Sequence, residues 1–333
     1  MDSEKQLVLF ISPAFFGYEI SIKDAIEENG FEVDYFDERT SNKSFLKAMF
    51  RANKALLTGL INKYYKQILR KIKNKKYDFF LLIKGEVVPE WFVVKFKMLN
   101  PGARLVYYTY DSVKNNNSNS SAILKYFNQC YSFDFDDVKK NSALKLKHLF
   151  YTREFIPDLV PDSKREYSIS FVGTLHSNRY ITIKSLFQNF EKTFTFYFMP
   201  AKWWFLLQKM SKRAHIKIKR SEVSFDKLSR HQVADIFKSS KSVLDIQRFG
   251  QTGLTMRTFE VLAAGAILIT TNPYIKSTNL YDGDKIIVLE STDLSAGIAE
   301  IKHKIDKADF AAKTPDENFG QYFVNNWVKE FFA

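Results

Sequence analysis

The chain reads as an α/β protein built from two doubly wound domains in tandem. Three observations predict this. Short apolar runs of strand length alternate with amphipathic helical stretches from end to end. The strand candidates are apolar throughout rather than alternating, as strands covered on both faces are. The alternation also pauses at a Pro-bearing stretch near the middle and then restarts. A length of 333 residues suits two domains, and 45% hydrophobic residues with only 12 Gly and 8 Pro fit packed cores rather than disorder.

In the first half the expected strands are Leu7–Ile11, Glu32–Phe36, Asp78–Ile83, Arg104–Tyr108, Gln129–Phe133 and Leu146–Tyr151. The helix Glu19–Asn29 closes on Gly30, a residue suited to the left-handed position after a helix. Residues 151–165, with Pro157 and Pro161, form the linker. The second half continues with strands Ser168–Val172, Phe194–Phe198, Ile216–Lys219, Ser242–Ile246, Ala266–Thr270 and Lys285–Leu289. Between them lie helices Ile181–Phe190, Lys227–Ser239, Leu254–Ala264 and Leu294–Ile305. The domains expected are therefore 1–155, 166–310 and a helical segment 311–333 packing back on the first. Asn115–Ser121 is a polar loop.

Composition narrows the setting. One cysteine, Cys130, makes no internal disulfide, no apolar run reaches membrane-span length, and the N-terminal stretch lacks the marks of a secretion signal. The expected location is the cytoplasm. The balance of 50 Lys+Arg against 37 Asp+Glu gives +13, a field that favours polyanionic partners without choosing among them.

In open α/β sheets ligands sit beyond the carboxyl ends of the strands, so the loops there carry the chemistry, and two such domains predict a cleft between facing sheet edges. The richest loop lies within Val243–Asn272. It carries Gly250 and Gly253 and opens a helix near Leu254 or Thr255. Free N–H groups and the positive end of a helix dipole suit a phosphate there. Arg248 and Arg257 add charged donors. Glu260, inside the helix, can accept both hydroxyls of a ribose. Read blandly, the glycines only turn the chain and Glu260 only pairs with Arg257. In the first half, three acidic residues follow three strands: Glu19 in FFGYE, Glu86 in KGEVVP and Asp111 in YTYDS. Glu19 in a first helical turn and Asp111 in a turn also have purely structural readings.

The run from Arg257 through Glu260 to Gly265 (RTFEVLAAG), followed by a strand, resembles the nucleotide-binding helix of GT-B glycosyltransferases, two-domain Rossmann-like enzymes. Within them it is most similar to the CgeB-like branch of bacterial envelope polysaccharide assembly, where an Arg precedes the Glu by three residues. Ser168–Gly173 with Thr174–Arg179 resembles the first strand and phosphate-side loop of that domain, and Phe15–Glu19, Tyr108–Asp111 and Ser132–Asp134 resemble the same branch. Many retaining members carry a second Glu eight residues before the helix Glu; here that position is Thr252, which leaves inverting and retaining chemistry both open.

The resemblance implies a glycosyltransferase that moves a sugar from a nucleotide-activated donor to a cell-surface glycan or lipid-linked acceptor, in lipopolysaccharide, capsule or exopolysaccharide assembly. The donor nucleotide is expected on Gly173, Thr174, Arg179, Arg248, Gly253, Thr255, Arg257 and Glu260. The base that takes the acceptor proton is expected among Glu19, Asp111 and Glu86, with His176 next. No cofactor or metal is expected. Asp134-Phe-Asp136 is a D-x-D, but it lies where Asp136 is a natural helix cap, and the five histidines lack metal-ligand spacing. The alternatives are a GT-B epimerase or phosphorylase, or a non-catalytic glycan- or nucleotide-binding module of a synthesis complex.

Residues 41–77 hold eleven Lys/Arg and no acidic residue, with an apolar stripe that includes Leu46, Met49, Leu56, Leu57, Leu60, Tyr64, Ile68 and Ile72. The structural reading is a helix on the sheet with a solvated basic face. The functional reading adds attraction to an anionic membrane, a peripheral site on its inner face. A second basic-aromatic patch is Lys202–Phe205 with Lys209, Lys212 and Arg213. Nucleic acid is not expected, since no nucleic-acid-binding module appears.

Overall fold

The structure is a computed structural model describing residues 5–39, 57–112, 120–157, 165–174, 179–203, 205–206, 218–247, 250–289, 294–308, 310 and 317–333. Contacts divide the chain into two compact units: Met1–Leu149 with Gln251–Gly253 and Gln321–Ala333, and Phe150–Gly250 with Leu254–Gly320.

The first unit holds a six-stranded parallel sheet. Its strands are β1 (Leu7–Ser12), β2 (Glu32–Asp37), β3 (Phe79–Ile83), β4 (Arg104–Thr109), β5 (Gln129–Ser132) and β6 (Lys145–Leu146), in the order β2-β1-β3-β4-β5-β6. Its helices are α1 (Tyr18–Glu28), α2 (Thr58–Ile72), α3 (Glu90–Leu99), the short α4 (Ser120–Ile123) and α5 (Phe135–Lys140). Strands β1, β3 and β4 are buried almost throughout, which explains their unbroken apolar runs. Gly30 takes the left-handed conformation expected after α1, with φ 93°.

Two expectations shift here. Of the expected strand Leu146–Tyr151 only Leu146 lies in β6, the two-residue strand Lys145–Leu146. After the Lys147 N–H donates to Ser132 O, the chain leaves the sheet edge. Leu149 and Phe150 are still buried, so their apolar signal reports burial without pairing. The helix α2 turns Ile61, Tyr65, Ile68 and Ile72 inward, whereas Leu60 is 54% exposed. Leu46, Met49 and Leu56 of the expected stripe lie outside the described residues.

The second unit repeats the plan. Its strands β7 (Tyr167–Thr174), β8 (Thr193–Phe198), β9 (Val223–Ser224), β10 (Ser240–Asp245), β11 (Ile267–Thr270) and β12 (Ile286–Val288) form a second six-stranded parallel sheet, ordered β12-β11-β10-β7-β8-β9. Its helices include α6 (Arg179–Phe187), α7 (Arg230–Lys238), α8 (Met256–Ala263), α9 (Leu294–Lys307) and the short α10 (Glu317–Gly320). The strand expected at Ile216–Lys219 is replaced by Val223–Ser224. Lys219 instead opens a tight turn in which its N–H donates to Glu222 Oε2 at 2.6 Å. Residues 216 and 217 lie outside the described residues.

The helix α11 (Val324–Phe332) belongs to the first unit. Trp327 Nε1 donates to His148 O at 2.8 Å, and the buried Lys147 pairs with Glu330 while its ammonium lies 5.2 and 4.9 Å from the Trp327 and Phe331 ring centres. Asn29 Nδ2 donates to Asn325 O at 2.9 Å.

Candidate functional site

Each sheet reverses its direction of growth once, and a crevice opens at the carboxyl ends of the strands where it does so. In the first unit the reversal lies between β1 and β3, in the second between β7 and β10. These points gather the described candidate residues into two clusters, one in each unit.

In the first unit the loop after β1 is Phe15–Glu19. Phe16 and Gly17 both adopt left-handed backbone, with φ 54° and 78°. The Phe15 N–H donates to Glu19 Oε2 at 2.9 Å, so this nearly buried carboxylate is engaged in holding its own turn. Phe15 and Phe16 remain about half exposed, and Phe15 stacks on Tyr110 at 5.8 Å.

The loop after β3 is tighter. Lys84 and Gly85 are both left-handed, with φ 74° and 65°. At Gly85 a Cβ would stand 3.1 Å from Leu82 and 3.2 Å from Tyr107, so only glycine fits without strain. This turn aims Lys84 between two carboxylates: its Nζ lies 3.3 Å from Glu86 and 3.0 Å from Asp111. Arg39 Nη2 donates to Glu86 Oε2 at 2.9 Å. The result is a chain of alternating charge, Arg39–Glu86–Lys84–Asp111, drawn from the ends of β2, β3 and β4. Burial works to raise the Glu86 carboxyl, but Lys84 and Arg39 overcome it and hold it below the ordinary carboxylate range. Asp111 has one cation and the most open side chain of the four, 37% exposed.

Glu38 completes this cluster, and sequence reasoning missed it. It is fully buried, and its Oε2 accepts the Glu86 N–H at 3.2 Å, clamping the strained turn from β2. Its Oε1 and the nearby buried Tyr110 hydroxyl have no hydrogen-bond partner among the described residues. Burial pushes the Glu38 carboxyl up to about 7, against the pull of Lys84 and Arg39. A Glu one residue past a half-exposed strand carries no sequence signal of such burial.

Asp134 has a different part from the one expected of the D-x-D. It is Asp134, not Asp136, that caps α5, accepting from the Asp136 and Asp137 N–H groups. The same carboxylate accepts from Thr252 Oγ1 at 2.7 Å and from the Thr252 and Gly253 N–H groups at 3.0 and 3.1 Å, all within the first unit. The N–H of Gly253 is thus engaged by Asp134, where a free donor was expected. Gly253 is glycine for a steric reason, since a Cβ would stand 2.7 Å from Phe133 O. Thr252, where the resemblance leads one to look for a second Glu, gives both its N–H and its hydroxyl to this carboxylate.

In the second unit β7 ends on Gly173 and Thr174, with Arg179 Nη1 donating to Thr174 O at 3.3 Å. A Cβ on Gly173 would stand 3.5 Å from Arg257 Nη1, so the guanidinium lies over the end of β7. It also lies 5.6 Å from the Phe237 ring. Thr255 is the N-cap residue of α8, and its hydroxyl donates to Asp245 Oδ2 at 2.6 Å, tying the helix start to the end of β10. Glu260, 2% exposed, sits within the same helix. Gly173, Thr174, Arg179, Thr255, Arg257 and Glu260 are therefore all carried by β7, α6 or α8 around one reversal point. Arg248 and His176 lie outside the described residues. Among the described residues no three His, Cys, Asp or Glu side chains form a metal-ligand group.

Residues 203–331 match the family model described as "Glycosyl transferase-like". Solved structures align over the whole chain. HepE of Anabaena, in complex with UDP-glucose, matches with a TM-score of 0.61 at 10% identity, covering 98% of this chain and 99% of that one. The fold is GT-B. Sucrose-phosphate synthase from Thermosynechococcus elongatus aligns with a TM-score of 0.60 at 11% identity, over 99% of this chain and 95% of that one. AviGT4, a glycosyltransferase involved in avilamycin A biosynthesis, aligns with a TM-score of 0.59 at 10% identity, over 98% and 96%. No curated protein sequence matches the chain.

Proposed function

We propose that this chain is a glycosyltransferase that moves a sugar from a nucleotide donor to a hydroxyl of a glycan or lipid-linked acceptor in cell-surface polysaccharide assembly, as in the CgeB-like branch. The observation that carries this reading is the second-unit cluster. Its Arg257, Thr255 and Glu260 fall within the segment that matches the glycosyl transferase-like model and stand on the helix that starts at the reversal point of the sheet.

In this reading Glu260 accepts the ribose hydroxyls, and Arg257 with the N-terminal end of α8 faces the diphosphate. As the bond from the sugar to the phosphate oxygen breaks, negative charge grows on the departing diphosphate, and those groups stabilise it. The acceptor oxygen bonds to the sugar carbon and gives its proton to a carboxylate of the first unit. Asp111 is the best suited of the three candidates. Glu86 is tied to two cations and resists protonation, and Glu19 is engaged by its own loop. Lys84, 3.0 Å from Asp111, orients that carboxylate. Glu38 acts behind them by fixing the turn that carries Lys84 and Glu86.

A thermal-shift series with UDP, GDP, dTDP and CMP tests the donor half, and the stabilising nucleotide then defines the sugar donors offered for turnover. The UDP-glucose held by HepE makes uridine nucleotides the first choice. Absence of stabilisation by every nucleotide, with no donor consumed, overturns the proposal. Nucleotide binding without transfer to any acceptor favours the non-catalytic module.

A further inference from the structure

Helices α2 and α3 lie side by side on the first sheet, joined where Trp91 Nε1 donates to Asn62 Oδ1 at 2.8 Å and where Tyr65 meets Phe92 edge-on at 5.0 Å. Toward their C-terminal ends a groove of about 370 Å³ is lined by Leu69, Arg70 and Lys73 of the first helix and its end and by Lys95, Met98 and Leu99 of the second. The floor is aliphatic, and Met98 is 66% exposed at its edge. At its rim stand Arg70, Lys73 and Lys95, with Lys66 one turn before Arg70 on the same face of α2; all four are exposed, and among the described residues none of them is in an ion pair. Helix α2 has no acidic residue, and the single acid of α3, Glu90, lies at the far end and pairs with Lys125 at 2.9 Å.

We infer that this groove is a docking site for an anionic lipid, with the phosphate headgroup against the Arg70, Lys73 and Lys95 rim and the acyl chain over Leu69, Met98 and Leu99. Cations near helix C-terminal ends are favoured by the helix dipole alone, which accounts for some of the charge. It does not account for a long apolar side chain standing in water beside a groove of aliphatic floor. The two features together match an amphiphile whose charged and apolar parts are adjacent. Nucleic acid is the other polyanion, but it stacks its bases on aromatic rings, and this floor has none. Long basic side chains also suit the position, because their stems cover apolar surface while their heads reach phosphate. The inference is independent of glycosyl transfer.

The test is sedimentation of the full chain with phosphatidylcholine vesicles, with and without phosphatidylglycerol. Binding is expected only with the anionic lipid. It should weaken strongly between about 0.1 and 1 M salt, as the screening length falls from about 10 to 3 Å. Each cation near an anionic surface strengthens binding about fivefold, so Arg70→Gln with Lys73→Gln should lower partitioning about 25-fold. Met98→Asn should lower it further without changing charge. Lys302→Gln with Lys307→Gln, exposed on α9 in the second unit, removes the same charge and should leave binding near wild type. All are surface changes, and unchanged melting temperatures confirm folding. No binding to anionic vesicles overturns the inference, as does equal binding to both vesicle types. So does a Met98→Asn variant that binds as wild type, or a control pair that loses as much as the groove pair. Soluble glycerol phosphate that competes as well as vesicles do identifies a free phosphate ligand and also overturns it.

Discussion

Replacing Glu38 by Gln should make the protein more stable at neutral pH. The residue is fully buried, and burial raises its carboxyl from an ordinary 4.5 to about 7. The folded chain therefore holds a proton on Glu38 that the unfolded chain releases between about pH 4.5 and 7. A folded state that binds more protons loses stability as the pH rises. The loss begins near pH 4.5, is complete above about 7, and amounts to about 3 kcal/mol at 1.36 kcal/mol per pH unit. Gln keeps the side-chain length and an oxygen to accept the Glu86 N–H, but has no charge to bury. Urea denaturation of both proteins at pH 5, 6, 7 and 8 measures the difference. The curves should nearly coincide at pH 5, and the variant should lead by about 3 kcal/mol at pH 8. A difference that stays flat across this range, or a variant less stable at pH 8, would refute the reasoning. Either result would mean that Lys84 and Arg39 hold Glu38 ionised despite its burial.

His148 tilts stability the other way. Burial, with Lys147 beside it, lowers its imidazole to about 4, so stability present above pH 6.5 should drain away as the pH falls toward 4, by about 3 kcal/mol. In His148→Gln the acid limb of a denaturation series should flatten. Asp134→Ala leaves several backbone donors and the Thr252 hydroxyl without their acceptor, and should cost about 3–5 kcal/mol in denaturant titrations. Under the proposed function, Glu260→Ala should weaken the preferred nucleotide roughly ten- to hundredfold by calorimetry, through the loss of charged hydrogen bonds. Equal affinities in a folded variant would remove the ribose role. Asp111→Asn should keep donor affinity while turnover falls about 10²–10⁴-fold, and the rising limb of the kcat/KM pH profile should flatten.

The first sheet could be read from the sequence because its central strands β1, β3 and β4 are covered on two faces and spell nearly uninterrupted apolar runs. In the second sheet serines break the central strands β7 and β10, and the strand–helix alternation carried the reading. Apolar runs misled at the sheet margins. Leu149 and Phe150 are buried without being strand, and Val223–Ser224 is strand without being a run. The gathering of the second-unit candidates could be read because local order carries it: Gly173 near the end of one strand, then Thr255 at the start of one helix and Arg257 and Glu260 within it. Glu19, Glu86 and Asp111 could be placed at strand ends, yet their division of labour could not. It depends on which cation each one meets, and Lys84 reaches Asp111 only because Lys84 and Gly85 adopt left-handed backbone. Glu38 and Asp134 were illegible for one reason. Each is defined by partners distant in sequence, the Glu86 N–H for one and Thr252 with Gly253 for the other.

The placement of α11 has a consequence for the order of events during synthesis. The first unit takes in residues 321–333, so it lacks a wall until the whole of the second unit has been made. That intervening stretch is roughly 170 residues, which occupies a ribosome for about 10–30 s. Over that interval Tyr108 and Phe79 wait without the Trp327, Phe331 and Phe332 rings that later pack on them, and Lys147 waits without Glu330. The second unit, though later in the chain, has its full set of strands before the first can close. A nascent chain arrested before residue 321 should thus present an apolar face to chaperones, and the released 333-residue chain should not.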